Sequence, residues 1–317
     1  MSEATTTLAP PRLAVARYRL TFRALDPLVL PSFTGSMWRG VLGRTLALLD
    51  RAQAIEGQAP GHYAALFRPS EDDHVGGRDR PAPFVLDPWP EGGGARAAGT
   101  PVGLDVTLIG HGNARAAAVV AAFATAGEIG LGQHRGTAFL ERVQAATPAA
   151  PDWRDVLAED HRLLPVEPVV PLPPPPTRRI GLRLETPLRL KDEGRLVRPS
   201  AIAAGRVVWH LVRRVGLLAD AAGPGTAGID FRALQAMTLP LRATARGLGA
   251  AARRRPATRF RDAQRFDGAV GELWLELGDT APVLLPWLAF GPWVHVGKAA
   301  TMGNGRIALL LPTDPPA

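Results

Sequence analysis

Apolar and polar residues alternate from residue 17 to 30 (RYRLTFRALDPLVL), the period-two pattern of a strand with one buried face. Residues 31–35 break the pattern, and Ser36 then stands where a helix cap is expected. In the following SMWRGVLGRTLALLD, Met37, Val41, Leu42, Leu46 and Leu49 share one helical face. Gly40 and Gly43 lie inside this helix, where glycine is costly, and so imply close packing or close approach of a ligand. Residues 51–100 are rich in Pro and Gly and show no period. A second strand is expected at 102–109, then an alanine-rich helix capped by Asn113 and running through Ala126. Next comes a glycine loop that runs into a strand, GEIGLGQHRGTAFLERV.

The second half repeats this order. Residues 180–190 alternate as residues 18–28 do, and a helix is expected over 198–218, with Ser200 as its cap. An irregular basic stretch covers 221–266, a strand 271–277, and a short proline-containing helix 281–290. A glycine-rich loop at 291–306 then leads to a strand at 307–311. Strand, helix, insert, strand, helix, glycine loop, strand therefore occurs twice, and each insert has room for an extra hairpin. The repeat predicts an α+β fold of two tandem ferredoxin-like (RRM-like) domains. Between them lies EPVVPLPPPP, whose consecutive prolines favour an extended spacer. The expected layout is a first domain over 12–150, a proline-rich linker over 151–176 and a second domain over 177–312. Residues 1–12 read as a disordered start.

Composition narrows the function. The chain has 317 residues, 46% of them hydrophobic, enough for two cores. It has no cysteine, which excludes disulfides and thiolate metal sites and fits a reducing cytoplasm. The start, MSEATTTLAPPRL, lacks the basic and apolar regions of a signal peptide, and no apolar run approaches the ~20 residues of a membrane span. A formal charge of +8 favours a polyanionic partner. Against this, Ala, Arg, Gly and Pro are abundant throughout, and part of the arginine is ordinary solvated surface.

The densest chemistry is in GPWVHVGKAATMGNGRI, residues 291–307. His295, Lys298, Thr301, Asn304 and Arg306 can all donate to a phosphate, and the interspersed Gly297, Gly303 and Gly305 permit a backbone anion nest. The GxxxxGK[ST] spacing of nucleotide hydrolysis is absent.

Four stretches carry a resemblance: LPSFTGSMWRGVLGRTL at 30–46, EIGLGQHR at 128–135, FRDAQRFDGAVG at 260–271 and HVGKAATMGNGR at 295–306. Together they resemble the repeat-associated (RAMP) superfamily, and within it the CRISPR precursor-RNA processing endoribonucleases of the Cas-six type. The last stretch is the most specific. Related sequences often have cysteines in the insert after the first helix, and here that insert has none. The resemblance implies a metal-independent, cofactor-free ribonuclease whose partner is CRISPR repeat RNA or crRNA, with other CRISPR effector subunits as further partners. The RNA 2′-hydroxyl would attack the adjacent phosphate, leaving a cyclic phosphate and a 5′-hydroxyl. That chemistry needs a base, a proton donor and a cation for the phosphorane.

His62, beside Tyr63 in GHYAALF, stands roughly where the family puts its base, and His295 lies in the best-matched motif. His62, Tyr63 and His295 are therefore the catalytic candidates. His74 and His134 lie in loops, and His111 and His161 have no motif support. RNA-binding candidates are Arg39, Arg44 and Arg135, with Arg206 and Arg213 on one face of the second domain's helix together with His210 and Arg214. A denser cluster holds Arg253, Arg254, Arg255, Arg259 and Arg261 interleaved with Phe260, a combination suited to phosphates and unpaired bases. Gly297, Lys298, Thr301, Gly303, Asn304, Gly305 and Arg306 complete the set. The sequence leaves three classes open: the processing endoribonuclease, a non-catalytic RAMP subunit that holds guide RNA in an effector complex, and a small-molecule enzyme on the same fold.

Overall fold

The computed structural model describes residues 6–56, 61–67, 81–89, 93–192, 194–251, 254–255, 264–265 and 267–312. The N-terminal unit comprises Ala14–Val169 and Arg254–Gln264, and the C-terminal unit takes the rest of the chain.

In the N-terminal unit the order is β1 (Val15–Ala24), β2 (Leu28–Leu30), α1 (Thr34–Ile55), α2 (His62–Phe67), β3 (Phe84–Pro88), β4 (Gly94–Arg96), β5 (Pro101–Ile109), α3 (Ala116–Ile129), β6 (Ala138–Thr147) and β7 (Ala150–Asp155). The main sheet has the order β3-β5-β1-β6-β7, antiparallel throughout. β1 pairs with β5 on one side and β6 on the other, so each half of the unit contributes a strand to the middle of the other half. That interleaving is the split βαβ arrangement. Alternation along β1 sends Leu20 and Phe22 to the helices and Arg17, Arg19 and Arg23 to the opposite face. Trp38 of α1 fills the centre of the core, stacked on Phe22 at 5.5 Å and edge-on to Phe123 of α3 at 5.8 Å.

The rest of the chain gives, in order, β8 (Arg179–Leu188), β9 (Lys191–Asp192), β10 (Arg195–Leu196), α4 (Ala204–Ala222), α5 (Phe231–Thr238), β11 (Arg242–Ala251), β12 (Arg254–Arg255), β13 (Gln264–Arg265), β14 (Gly268–Glu276), α6 (Ala281–Leu288), α7 (Gly291–Val294) and β15 (Ile307–Leu310), all in the C-terminal unit except β12, which groups with the N-terminal unit, and β13, which spans the division. The sheet order β11-β14-β8-β15 is the same as that of β3-β5-β1-β6. The α+β fold of two ferredoxin-like units is thus present, each with its own sheet. β9 with β10 and β12 with β13 form short separate ribbons.

Several expectations change. The second strand of each ferredoxin-like unit, β3 and β11, lies inside a stretch read as irregular. Residues 151–155, placed in the linker, belong to β7 and pair with β6, and residues as far as Val169 group with the N-terminal unit. The start of the chain is not loose from residue 6 on. Thr7 bridges to Ile229, and the Trp287 indole donates to the Leu8 carbonyl at 2.8 Å. None of the three expected caps acts as one. α1 begins at Thr34, Ser200 sits in a 3₁₀ turn ahead of α4, and Asn113 donates its amide to the Ala14 and Gly110 carbonyls. Among the described residues no helix is long and apolar enough to cross a membrane.

Trp38 is 1% exposed at the meeting point of β1, α1 and α3. Trp38→Ala is expected to destabilise the N-terminal unit by about 3–5 kcal/mol. Chemical denaturation followed by far-UV circular dichroism reads this as a shifted midpoint.

Candidate functional site

Two surfaces carry the candidate residues. On the N-terminal unit, α2 packs along α1. The Asp50 carboxylate of α1 accepts from the backbone amides of His62 at 3.0 Å and Tyr63 at 2.9 Å, and so caps α2. Tyr63 stacks on Phe67 at 5.1 Å, and the Arg39 guanidinium lies 5.1 Å from the Phe67 ring. Gly43 permits this packing, since a Cβ there would sit 3.3 Å from Phe67 and 3.6 Å from Tyr63. Gly40 leaves room for Arg44, whose Nη1 lies 3.3 Å from the place of its Cβ. The helix glycines thus serve close packing, one of the two readings the sequence allowed. Arg39, Arg44, His62 and Tyr63 all stand on this α1–α2 pair. His62 is half-buried. Its Nε2 lies 3.3 Å from the Gln53 amide nitrogen, and its Nδ1 is buried with no hydrogen-bond partner among the described residues.

On the C-terminal unit, the glycine-rich loop lies along the end of β8. The Val296 amide donates to the Gly305 carbonyl at 2.9 Å, closing the loop on itself. Lys298 donates its amide to Arg189, Gly305 to Pro187, and Arg306 to the Thr186 hydroxyl. Gly305 has φ +65, and a Cβ there would sit 1.8 Å from the Val296 carbonyl oxygen. Gly297 has φ +84 and faces the Arg189 carbonyl at 2.4 Å in the same way. These glycines are required by backbone packing. Most of the amides expected to cradle a phosphate are spent inside the fold. Among the described residues, those of Gly297, Ala299, Ala300 and Thr301 remain, the last three at a left-handed to right-handed backbone step beside the exposed Lys298.

Burial separates the loop's polar side chains. His295 and Asn304 are 0% exposed, so neither reaches solvent, contrary to the expectation that both donate to a phosphate. The Asn304 side-chain amide makes no hydrogen bond among the described residues. Arg306 forms an ion pair with Glu185 at 2.6 Å, and Gly303 is buried. Lys298 is exposed and Thr301 partly so.

The remaining cations are equally divided in role. Arg206 of α4 pairs with Asp192. Arg214 donates from Nε to the Val294 carbonyl at 2.8 Å, supporting the loop from beneath, and burial pushes its guanidinium down to about 10. Burial, then Arg213 and Arg206, hold His210 below its ordinary value. Of that helix face, Arg213 alone is exposed. Arg135 is exposed on the first glycine loop, at φ +53. Arg253, Arg259 and Arg261 lie outside the described residues, and Arg254 and Arg255 are described only as the backbone of β12.

Sequence reasoning missed the outer face of the N-terminal sheet. Arg19 grips Asp105 through Nε and Nη2 at 2.8 and 2.9 Å, and its guanidinium lies 4.0 Å over the Trp153 ring. Period-two alternation marked Arg17, Arg19 and Arg23 as one polar face, but Asp105 and Trp153 come from β5 and β7. Among the described residues no three His, Asp or Glu side chains converge as metal ligands.

Gly305→Ala forces both a disfavoured φ and a carbonyl contact, and a loss of at least about 2 kcal/mol is expected. Thermal unfolding of the variant reads the loss. A neutral outcome would show that the loop moves off β8 without cost.

Residues 182–307 match the family model for the CRISPR-associated endoribonuclease Cas6, and residues 13–169 match a family described as an N-terminal domain. No curated protein matches the chain. Among solved structures, a Cas6 product complex aligns with TM-score 0.58 at 19% identity, covering 94% of this chain and 99% of that one. Thermus thermophilus Cas6 aligns with TM-score 0.53 at 19% identity over the same shares. A chain of a partial Cas6-RT-Cas1–Cas2 complex aligns with TM-score 0.54 at 12% identity, covering 96% of this chain and 47% of that one. At these identities the structures speak for the fold, two ferredoxin-like units in succession. Residues 182–307, from β8 through the glycine-rich loop to the start of β15, thus carry a domain of the Cas6 endoribonuclease family.

Proposed function

We propose that this protein binds CRISPR repeat RNA and cuts the precursor transcript by attack of an RNA 2′-hydroxyl on the adjacent phosphate, leaving a cyclic phosphate and a 5′-hydroxyl, without a metal ion or cofactor. The observation that carries the reading is the Cas6 endoribonuclease match over residues 182–307, whose last part is the loop that presents Lys298.

His62 is the proposed base, because an imidazole nitrogen can accept a proton and the ring sits with Tyr63, Arg39 and Arg44 on one helix pair. Its Nε2 lies against Gln53 and its Nδ1 is buried, so the ring must turn outward to reach a 2′-hydroxyl. Arg39, Arg44 and Arg135 on one unit, and Lys298, Thr301 and Arg213 on the other, are the proposed phosphate contacts. Gly297, Gly303, Asn304, Gly305 and His295 act by shaping the loop rather than by touching RNA. A related fold is solved in a complex titled Cas6-RT-Cas1–Cas2, and further CRISPR subunits are proposed partners after the RNA.

The burial of His295 and the engaged ring of His62 favour a second reading, a RAMP subunit that holds guide RNA without cutting it. Incubating the protein with repeat RNA in chelator separates the two. The expected result is a cyclic-phosphate product, with His62→Ala slowing cleavage by about 100-fold or more while RNA affinity stays within about twofold. Tight binding with no product would establish the subunit reading, and activity restored only by added metal would remove the proposed mechanism.

The loop has its own test in the salt dependence of RNA binding. Lys298→Ala should make the log–log slope shallower by roughly 0.7, the value for one lost phosphate contact on a single strand. Arg306→Ala should change it much less, since Glu185 already neutralises that charge. Equal slopes for Lys298→Ala and the parent would place the phosphates elsewhere.

A further inference from the structure

Against the β2–β4 ribbon of the N-terminal unit lies a cavity of about 300 Å³ lined by Leu30, Trp38, Trp89, Arg96, Val102 and Gly103, with Thr100 and Pro101 beside them. Its size is at the bottom of the range for small-molecule sites, room for one planar ring system and little more. None of the residues proposed above for cleavage or phosphate contact lines it.

The walls are built for a flat aromatic guest. Trp38, part of the core, closes the inner side. Trp89 is held on β5 from two directions. Gly103 provides the space, because a Cβ there would stand 2.8 Å from Trp89 Cζ2. The Trp89 indole N–H donates to Asp105 Oδ1 at 3.4 Å, and Asp105 is itself gripped by both nitrogens of the Arg19 fork. The Arg19–Asp105 pair therefore positions an aromatic wall before any ligand arrives. Polar groups are few and point to specificity rather than bulk attraction. Arg96 is half-buried, anchored through Nη1 to the Ala95 carbonyl at 3.0 Å, and Thr100 offers a hydroxyl. A guanidinium plane beside indole rings is the combination on which unpaired bases stack, while the hydroxyl and the remaining guanidinium donors can meet ring nitrogens or carbonyls.

We infer that this cavity takes a single unstacked nucleobase of the bound RNA. The inference rests on the RNA-binding reading above and adds to it a contact to a base, where the sites described earlier contact phosphate or the 2′-hydroxyl. Binding a base there leaves the count of neutralised phosphates unchanged, and this sets its signature.

Affinity for a single-stranded RNA octamer, and for an octamer with the same phosphates and no bases, is measured against salt for the parent, Trp89→Leu and Thr100→Trp. The second variant fills the cavity mouth and keeps Trp89, so it decides the matter if Trp89→Leu does not fold by circular dichroism. The expected result is at least about fivefold weaker octamer binding by either variant, with an unchanged salt slope and unchanged affinity for the abasic strand. Parent-like octamer affinity in both folded variants overturns the base site and leaves the RNA reading standing. If the parent binds neither strand, the RNA reading fails. Titration with adenosine monophosphate then decides the cavity alone: saturable quenching of tryptophan fluorescence that Thr100→Trp abolishes supports it, and no quenching overturns it.

Discussion

The C-terminal unit depends on one close backbone contact, the passage of residues 296–306 against the end of β8. The Gly305 and Gly297 positions each lie too near a carbonyl oxygen for any side chain, and both need positive φ. With the contact made, the loop's amides satisfy the carbonyls of Pro187 and Arg189 and the hydroxyl of Thr186. Burying those groups unpaired would be costly, so the loop and the strand end hold each other in place. Arg214 adds a further tie to the Val294 carbonyl. The exposed Lys298 side chain is positioned by what lies buried beneath it.

Charge is distributed by the same logic. The formal charge of +8 suggests a broad cationic surface, but many arginines are committed within the fold. Arg19 is tied to Asp105, Arg23 to Glu141, Arg142 to Asp155, Arg183 to Glu272 and Arg306 to Glu185. Exposed pairs of this kind add little stability, yet each removes a full charge from the field an anion would meet. Other cations among the described residues stay exposed, including Arg44, Arg135, Arg154, Lys191, Arg195, Arg213, Arg242, Arg246 and Lys298.

Much of the fold was legible in the sequence for a plain reason. β1 and β8 are central strands with one face in the core, so burial follows a period of two and the residue pattern records it. α4 shows its apolar face in the same way through Val208, Leu211, Val212 and Val215. β3 and β11 escaped because neither has that pattern. β3 is buried at every residue and ends in proline, and β11 is an almost wholly exposed edge strand of Arg, Ala and Gly. β7 escaped because its prolines and charges resemble the linker that follows it.

The sequence by itself determined the repeated βαβ order, the absence of cysteine chemistry and the glycine-rich loop with its family resemblance. These are properties of residue type and spacing, and no partner across the fold is needed to read them. Only the tertiary structure decided which polar groups are free to act. His295, Asn304 and Arg306 look equivalent to Lys298 along the chain, but two are fully buried and the third faces Glu185. The same holds for Trp89, Asp105 and Arg19, scattered over 87 positions yet joined in one hydrogen-bonded line. Burial and pairing belong to residues distant in sequence, and hydrophobic periodicity contains no record of them.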